Sequence, residues 1–326
     1  MKNKSRNKMT DFSLAGLKPA WSGKVRDIYI PPDHYNDLLA VVTTDRVSAY
    51  DQIVGEIPGI GILRNQFTKF CKNLVKPIVS NDFLADDLTF FSRCIPMGMD
   101  LKKFEGRVSL VYHLKAIPVE FIVRGYLAGS LWKEYSENDF QAGYYQGNFL
   151  PAELCEGEKL DFPIFTPTTK GKVGEKDQPL EYSQMLAHIH EWIQSDYLLK
   201  SAGYNATMVS QTAKSTALAV YSALHSYAYS RWNIIADLKL EFGLFPTASV
   251  QELVLIDEIS PDSFRAWPRD AYCPGKEQIS LDKQPIRNFV KQNPGCAISA
   301  EVAQQTYDGY KSIYDSFVNT QSAFFF

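Results

Sequence analysis

The chain is poor in cysteine: five residues, Cys71, Cys94, Cys155, Cys273 and Cys296, are scattered through 326 positions. None forms a Cys-x-x-Cys pair. That argues against a cysteine zinc module and a disulfide framework, and reduced thiols in a cytoplasmic protein are the simple reading. No apolar run is long enough to cross a bilayer, so no membrane partner is expected. The basic start, Met1-Lys2-Asn3-Lys4-Ser5-Arg6-Asn7-Lys8, lacks the apolar stretch of a secretory signal. Excess charge is also missing. A formal net charge of −3 gives no reason to expect a nucleic-acid partner, while leaving room for a small basic site that takes a phosphorylated metabolite. There is no Gly-x-x-x-x-Gly-Lys-Ser/Thr loop and no Gly-x-Gly-x-x-Gly after a strand, which disfavours P-loop and dinucleotide-binding proteins. His188 and His190 stand two apart on an expected helix, so they point to different faces and suggest no metal pair. No internal repeat or low-complexity segment is present.

What remains is an ordinary globular composition, 45% hydrophobic and 22% charged, in a chain long enough for about two domains. Its most informative stretch is Ile234-Ile235-Ala236-Asp237-Leu238-Lys239-Leu240-Glu241-Phe242-Gly243. Apolar and charged residues alternate with period two, which predicts a strand. Leu238, Leu240 and Phe242 face a core, and Asp237, Lys239 and Glu241 share the other face. A second strand, Leu253 to Ile259, follows after a turn-rich connection. Pairing the two would bring Glu241 near Asp257 or Glu258. Carboxylates meeting beside a lysine suit a Mg²⁺ ion that bridges nucleotide phosphates. The competing reading is a solvated strand face with surface ion pairs.

Several other elements can be read along the chain. Residues 1–20 read as a loosely ordered, solvated extension. A glycine-led strand, Gly23-Lys24-Val25-Arg26-Asp27-Ile28-Tyr29, carries Lys24 and Arg26 on one face. Leu38 to Thr43 reads as a buried strand and Thr44 to Asp51 as a polar loop. Leu63, Phe67, Phe70, Cys71 and Leu74 mark a helix that ends before Pro77. Strand-like runs at 108–112 and 119–124 flank a hinge at Lys115-Ala116-Ile117-Pro118. These features divide the chain into a small β-rich lobe at 21–117 and a larger α+β lobe at 118–285. Residues 141–180 read as one long loop. Helices are expected over about 181–200 and 206–230, packing on the apolar face of the central hairpin. A polar loop at 260–285 precedes C-terminal helices in 286–326, and Phe324-Phe325-Phe326 has no evident partner.

The phosphate-binding candidates are Arg124, at a strand end, and Ser130, read as the N-cap of a short helix. Helix N-termini attract anions, and arginine adds a bidentate fork. Arg265 lies just past the carboxylate strand and can reach the same ligand. The plain alternative is a helix cap beside surface arginines.

The runs GKVRDIY (23–29), TTDRVSAYD (43–51), PVEFIVRGYLAGS (118–130), PIFTPTTK (163–170), ADLKLEFG (236–243) and DEISPDSFR (257–265) resemble, in order, those of the SAICAR synthetase family. The resemblance implies an α+β fold of two lobes, related to ATP-grasp and kinase-like nucleotide sites, with ATP between them. It implies an ATP-dependent ligase that joins carboxyaminoimidazole ribonucleotide and L-aspartate in purine biosynthesis, through an acyl phosphate. It further implies Mg²⁺ at Glu241 and Asp257, a catalytic Lys239 oriented by Asp237, and ATP contacts from Lys24, Arg26, Glu120, Glu241 and Asp257. Arg124, Ser130 and Arg265 match the ribonucleotide phosphate site. Arg46, Ser48 and Asp51 match a substrate-side loop, and Lys170 a loop near the substrate.

The chain departs from the family pattern in two places. Gly174-Glu175-Lys176-Asp177-Gln178-Pro179 stands where longer members carry Gly-Glu-His-Asp-Glu-Asn, and Leu238 and Leu240 replace Thr and an aromatic. A kinase-like phosphotransferase acting on another small molecule, and a nucleotide-binding paralogue without catalysis, are the other readings. The sequence does not decide between monomer and homo-oligomer.

Overall fold

A computed structural model of the chain describes residues 19–31, 37–86, 88, 92, 100–137, 142–171, 177–247 and 249–318. The basic start, residues 174–176 and the terminal phenylalanines lie outside the described residues. A five-stranded antiparallel sheet runs in the order β1 (Trp21–Ser22), β2 (Arg26–Tyr29), β3 (Leu38–Thr43), β7 (Val108–Tyr112) and β6 (Phe83–Ala85). A hairpin of β4 (Arg46–Ala49) and β5 (Gln52–Glu56) stands beside it. A seven-stranded sheet has the central order β12 (Lys159–Phe165), β9 (Val119–Tyr126), β14 (Asn233–Leu244) and β15 (Leu253–Ile256). Three short strands complete it: β8 (Lys115–Ala116), β13 (Thr168–Thr169) and β16 (Phe264–Pro268). β10 (Gly143–Tyr145) and β11 (Asn148–Leu150) form a further hairpin. With its helices the chain is α+β, as its sequence implies.

β14 is the axis of the larger sheet. Asp237 to Leu240 pair with β9, the strand's start pairs with β16, and Glu241 to Leu244 pair with β15. Its apolar face is covered by α5 (Ala206–Ser230), whose Val209, Ala213, Ala217, Val220 and Leu224 fall at helical spacing and share one core with Leu238, Leu240 and Phe242. α3 (Tyr182–Ser195) adds Met185, Ile189 and Ile193 to the same core. A short α4 (Tyr197–Ser201) follows, capped by the Asp196 side chain, which accepts from the Leu198 and Leu199 amides. α1 (Ile60–Val75) also turns Phe67, Cys71 and Val75 into this core, so apolar packing runs across residue 117 without a break. α6 (Gln284–Gln292) and α7 (Ala300–Val318) place Ile286 and Tyr310 against Val47, Ala49, Ile57 and Ile60.

Three stretches expected as loops contain strands. Residues 141–180 hold β10 to β13. In β12, the register against β9 shifts between Lys159 and Ile164, a bulge around Pro163, which has no amide to donate. That bulge breaks the alternation that would have marked the strand. The segment 260–285 holds β16, with Phe264, Ala266 and Trp267 buried; at five residues it is too short to stand out. Thr44 to Asp51 contains β4 and the two-residue turn Tyr50-Asp51, with φ of 48° and 64°. Positive φ at both central residues matches the twist of a tight hairpin.

Gly61 shows how closely α1 is pressed to the small sheet. A Cβ there would lie 2.6 Å from the Thr44 carbonyl oxygen and 2.7 Å from that of Thr43. Gly61→Ala must therefore push the helix away, and a loss of about 1–3 kcal/mol is expected. Urea unfolding checks this: the midpoint falls while the slope stays unchanged.

Candidate active site

Asp237, Lys239 and Glu241 point from β14 into a cleft, and their burial rules out a solvated strand face. Asp237 is 7% and Glu241 4% exposed. Lys239 Nζ donates to Glu120 Oε1 at 2.7 Å and to Glu241 Oε1 at 3.4 Å, and Lys170 Nζ donates to Glu241 Oε2. Burial would push the Glu241 carboxyl up, but the Lys239 and Lys170 ammonium groups outweigh it and hold the group at about 2. Burial likewise opposes the Lys239 charge, and Glu241 and Glu120 more than offset it, raising its pKa.

Asp237 does not orient Lys239. Its carboxylate instead takes Arg265 Nη1, and Arg124 Nη1 lies 3.5 Å away. The arginines take up the Asp237 carboxylate, and the Lys239 ammonium goes to Glu120 and Glu241.

Toward the smaller sheet, a cavity of 450 Å³ is lined by Lys24, Arg26, Ser48, Asp51, Glu120, Lys170, Lys239, Glu241, Asp257 and Glu258, among others. Arg26 is ion-paired to Asp257, and Lys24 to Asp51. Lys24 lies between β1 and β2, where the Gly23 amide donates to the Arg26 carbonyl at 2.7 Å, and not on a strand face as the glycine-led pattern implied. Asp257 has φ of 64°, a left-handed conformation that Asp tolerates better than bulkier residues. Glu241 opposes Ile256 across the β14–β15 pair, so Asp257 follows directly after Glu241's partner.

Toward the other end, Arg124, Ser130, Asp237, Lys239, Asp262, Arg265 and Arg287 line a pocket of 200 Å³. Arg124 Nε donates to Thr166 Oγ1 at 2.9 Å and its Nη2 to Ser130 Oγ at 3.2 Å. Ser130 stands inside the first turn of α2 (Gly129–Glu137), not at a cap. Gly129 has φ of 61°, and a Cβ there would collide with the Arg265 guanidinium, so glycine is what lets the arginine lie over the helix start.

Arg46 lines none of these cavities. It donates to Asp27 Oδ1 at 2.7 Å and to the Gly23 carbonyl at 3.1 Å, bracing the turn that carries Lys24. Ser48 accepts from Lys283 Nζ at 3.3 Å. The sequence reading missed Asp262, Lys283 and Arg287. Asp262 takes Arg64 Nη2 at 3.1 Å and the Tyr310 hydroxyl, with Lys283 at 3.7 Å. Asp262 lies inside the DEISPDSFR run and was open to notice, whereas Lys283 and Arg287 stand in a segment without a motif.

A cleft of paired cations and carboxylates is joined through Lys239 to a pocket lined by Arg124, Ser130 and Arg265, an arrangement that suits an enzyme acting on phosphorylated compounds. The model of the SAICAR synthetase family matches residues 20–301. The chain is 39% identical over 306 residues to phosphoribosylaminoimidazole-succinocarboxamide synthase of Thioalkalivibrio sulfidiphilus, which covers 91% of this chain and 94% of that protein. Its fold is similar to that of SAICAR synthase from Saccharomyces cerevisiae, solved in complex with SAICAR, with a TM-score of 0.76 at 32% identity, over 95% of this chain and 97% of that one. It is also similar to a SAICAR synthetase solved in complex with ADP, with a TM-score of 0.61 at 25% identity, covering 91% and 97%. The chain belongs to the SAICAR synthetase family. It is an enzyme of purine biosynthesis, an ATP-dependent ligase.

Glu241 has a pH signature. Its folded pKa of about 2 lies below the ordinary 4.5, so its ion pairs stabilise the fold fully above pH 4.5 and lose that contribution as pH falls toward 2. Glu241→Gln removes the titration, and its unfolding midpoint is expected to fall less steeply than the parent's across that window. Thermal scans from pH 6 to 2 give the comparison.

Proposed function

We propose that the cleft joins carboxyaminoimidazole ribonucleotide and L-aspartate by way of an acyl phosphate, with the two ends of β14 serving the two phosphorylated substrates. One observation carries this reading: Lys239 lines both the 450 Å³ nucleotide cavity and the 200 Å³ arginine pocket. An ammonium at that junction faces both the terminal phosphate of ATP and the carboxylate of the ribonucleotide.

The chemistry follows from the leaving group. A carboxylate is a poor acyl donor, because oxide leaves badly. The ribonucleotide carboxylate oxygen attacks the terminal phosphorus and ADP leaves. The aspartate amine then attacks the acyl carbon, the new C–N bond forms, and phosphate departs with one carboxylate oxygen. Lys239 neutralises charge on the reacting carboxylate and the phosphoryl oxygens; Lys24, Arg26 and Lys170 attend the ATP phosphates. Arg124, Ser130 and Arg265 hold the ribonucleotide phosphate, with Asp237 fixing both arginines. In the structure each cation of the nucleotide side is paired to a carboxylate. Phosphates arriving with a divalent cation exchange those partners without stranding a buried charge.

Glu241 and Asp257 suit Mg²⁺: both are hard oxygen donors lining one cavity, and Mg²⁺ takes one or two carboxylates and completes its shell with phosphate and water. Bound there, the ion would screen the phosphate charges. Among the described residues no helix is long and apolar enough to cross a membrane. We place the enzyme in the cytoplasm, with small-molecule partners and no nucleic acid. Lobes at 21–117 and 118–285, with a C-terminal helical segment from 286 onward, are the division that suits a cleft of this kind. A kinase-like phosphotransferase is disfavoured by the arginine pocket, which serves a phosphorylated substrate beyond ATP.

The test is ADP release with ATP, Mg²⁺, the ribonucleotide and aspartate, omitting each in turn and weighing the product. Turnover requiring all four, with a succinocarboxamide product, is expected, and ADP release without aspartate incorporation overturns the reading. Glu241→Gln is expected to lower kcat by about 100-fold or more, and unimpaired turnover would remove Glu241 from the metal site.

A further inference from the structure

Arg287, in the first turns of α6, is one side chain at which three cavities meet. It lines the nucleotide cavity, the arginine pocket and a larger cavity of 950 Å³ that opens beyond Ser130 and Arg265. Its neighbour Ile286 is fully buried, and its amide donates to the Lys283 carbonyl at 3.2 Å, so the backbone that presents it is fixed.

Its donors are under-used. Nη1 is buried and has no hydrogen-bond partner among the described residues. The ion pair with Asp282 Oδ1 is loose at 3.9 Å. Asp282 is already engaged by the backbone: Oδ2 accepts the Ala266 amide at 2.9 Å and Oδ1 the Gln284 amide at 2.8 Å. A buried guanidinium N–H without an acceptor is costly, and the group carries five donors in a planar fork shaped for a carboxylate.

The proposed reaction supplies anions to match. The ribonucleotide phosphate is met by Arg124 and Arg265, the reacting carboxylate by Lys239, and ATP by the cations of its own cavity. Two carboxylates of aspartate remain. Lys283 is engaged by Ser48 Oγ at 3.3 Å and lies 3.7 Å from Asp262. Arg287 is the cation at the junction with donor capacity left over, and it shares the 200 Å³ pocket with Lys239.

We infer that Arg287 anchors a carboxylate of L-aspartate, holding the amine toward the carbon activated beside Lys239. This rests on the proposed reaction. The larger cavity is then the route by which the amino acid enters.

The test is steady-state kinetics of Arg287→Gln and Arg287→Lys, with each of the three substrates varied. For Arg287→Gln, KM for aspartate is expected to rise roughly 10- to 100-fold, the size of a lost charged hydrogen bond. KM for ATP and for the ribonucleotide should stay within about threefold, and saturating aspartate should restore most of kcat. Arg287→Lys keeps the charge without the fork and should fall between; it carries the test alone if the glutamine variant fails to fold. An unchanged KM for aspartate in a folded variant overturns the anchor. So does a rise confined to the ribonucleotide, which would move Arg287 to that substrate. A parent enzyme that releases ADP without incorporating aspartate overturns the proposed reaction, and the anchor with it.

Discussion

Everything in this molecule answers to the burial of charge on one strand. Asp237, Lys239 and Glu241 stand in a row on β14, and water has been taken from the two carboxylates almost entirely. An unpaired ion at such depth would change its protonation or unfold the site. The surrounding elements therefore each bring a counter-charge: β9 brings Glu120 and Arg124, β16 brings Arg265, and the segment after β13 brings Lys170. The positions of these elements are those that leave no member of the row alone.

The same arrangement separates two kinds of pairing. At the end toward the smaller sheet, cations meet carboxylates from another strand or turn, as Arg26 meets Asp257 and Lys24 meets Asp51. Such pairs can trade partners as anionic and cationic ligands arrive together. At the other end, Asp237 is shared by two arginines, so its single charge does not neutralise both. Burial pushes the Asp237 carboxyl up, but the arginines outweigh it and hold it below the usual value, which keeps the anion in place. One strand thus carries an exchangeable site and a receptive one, with Lys239 between.

The alternation in ADLKLEFG made β14 legible without any structure, because a helix turning every 3.6 residues would put Lys239 on the face opposite Asp237 and Glu241. The periodicity of α1 and α5 was equally plain. What escaped was short or irregular. β16 spans five residues, and β12 is broken at its bulge. The partners of Asp237 escaped as well: register decides them, and neither Arg124 nor Arg265 announces in its own segment that it will lie opposite the same aspartate. Arg46 lies outside the cavities described. It sits in a run that resembles a substrate loop, yet its Nη2 is given to Asp27 and the Gly23 carbonyl. Lys283 and Arg287 stand at the start of a helix with no motif, and their relevance comes wholly from where α6 docks.

The Tyr310 hydroxyl and the buried Arg64 grip Asp262 from opposite ends of the chain, one on α7 and one on α1. Asp262 itself lines the cleft. Domains made on a ribosome collapse from the amino end forward, and Asp262 in this cleft is held by a group from residue 310. A nascent chain can thus build its sheets before it makes the helix that braces Asp262.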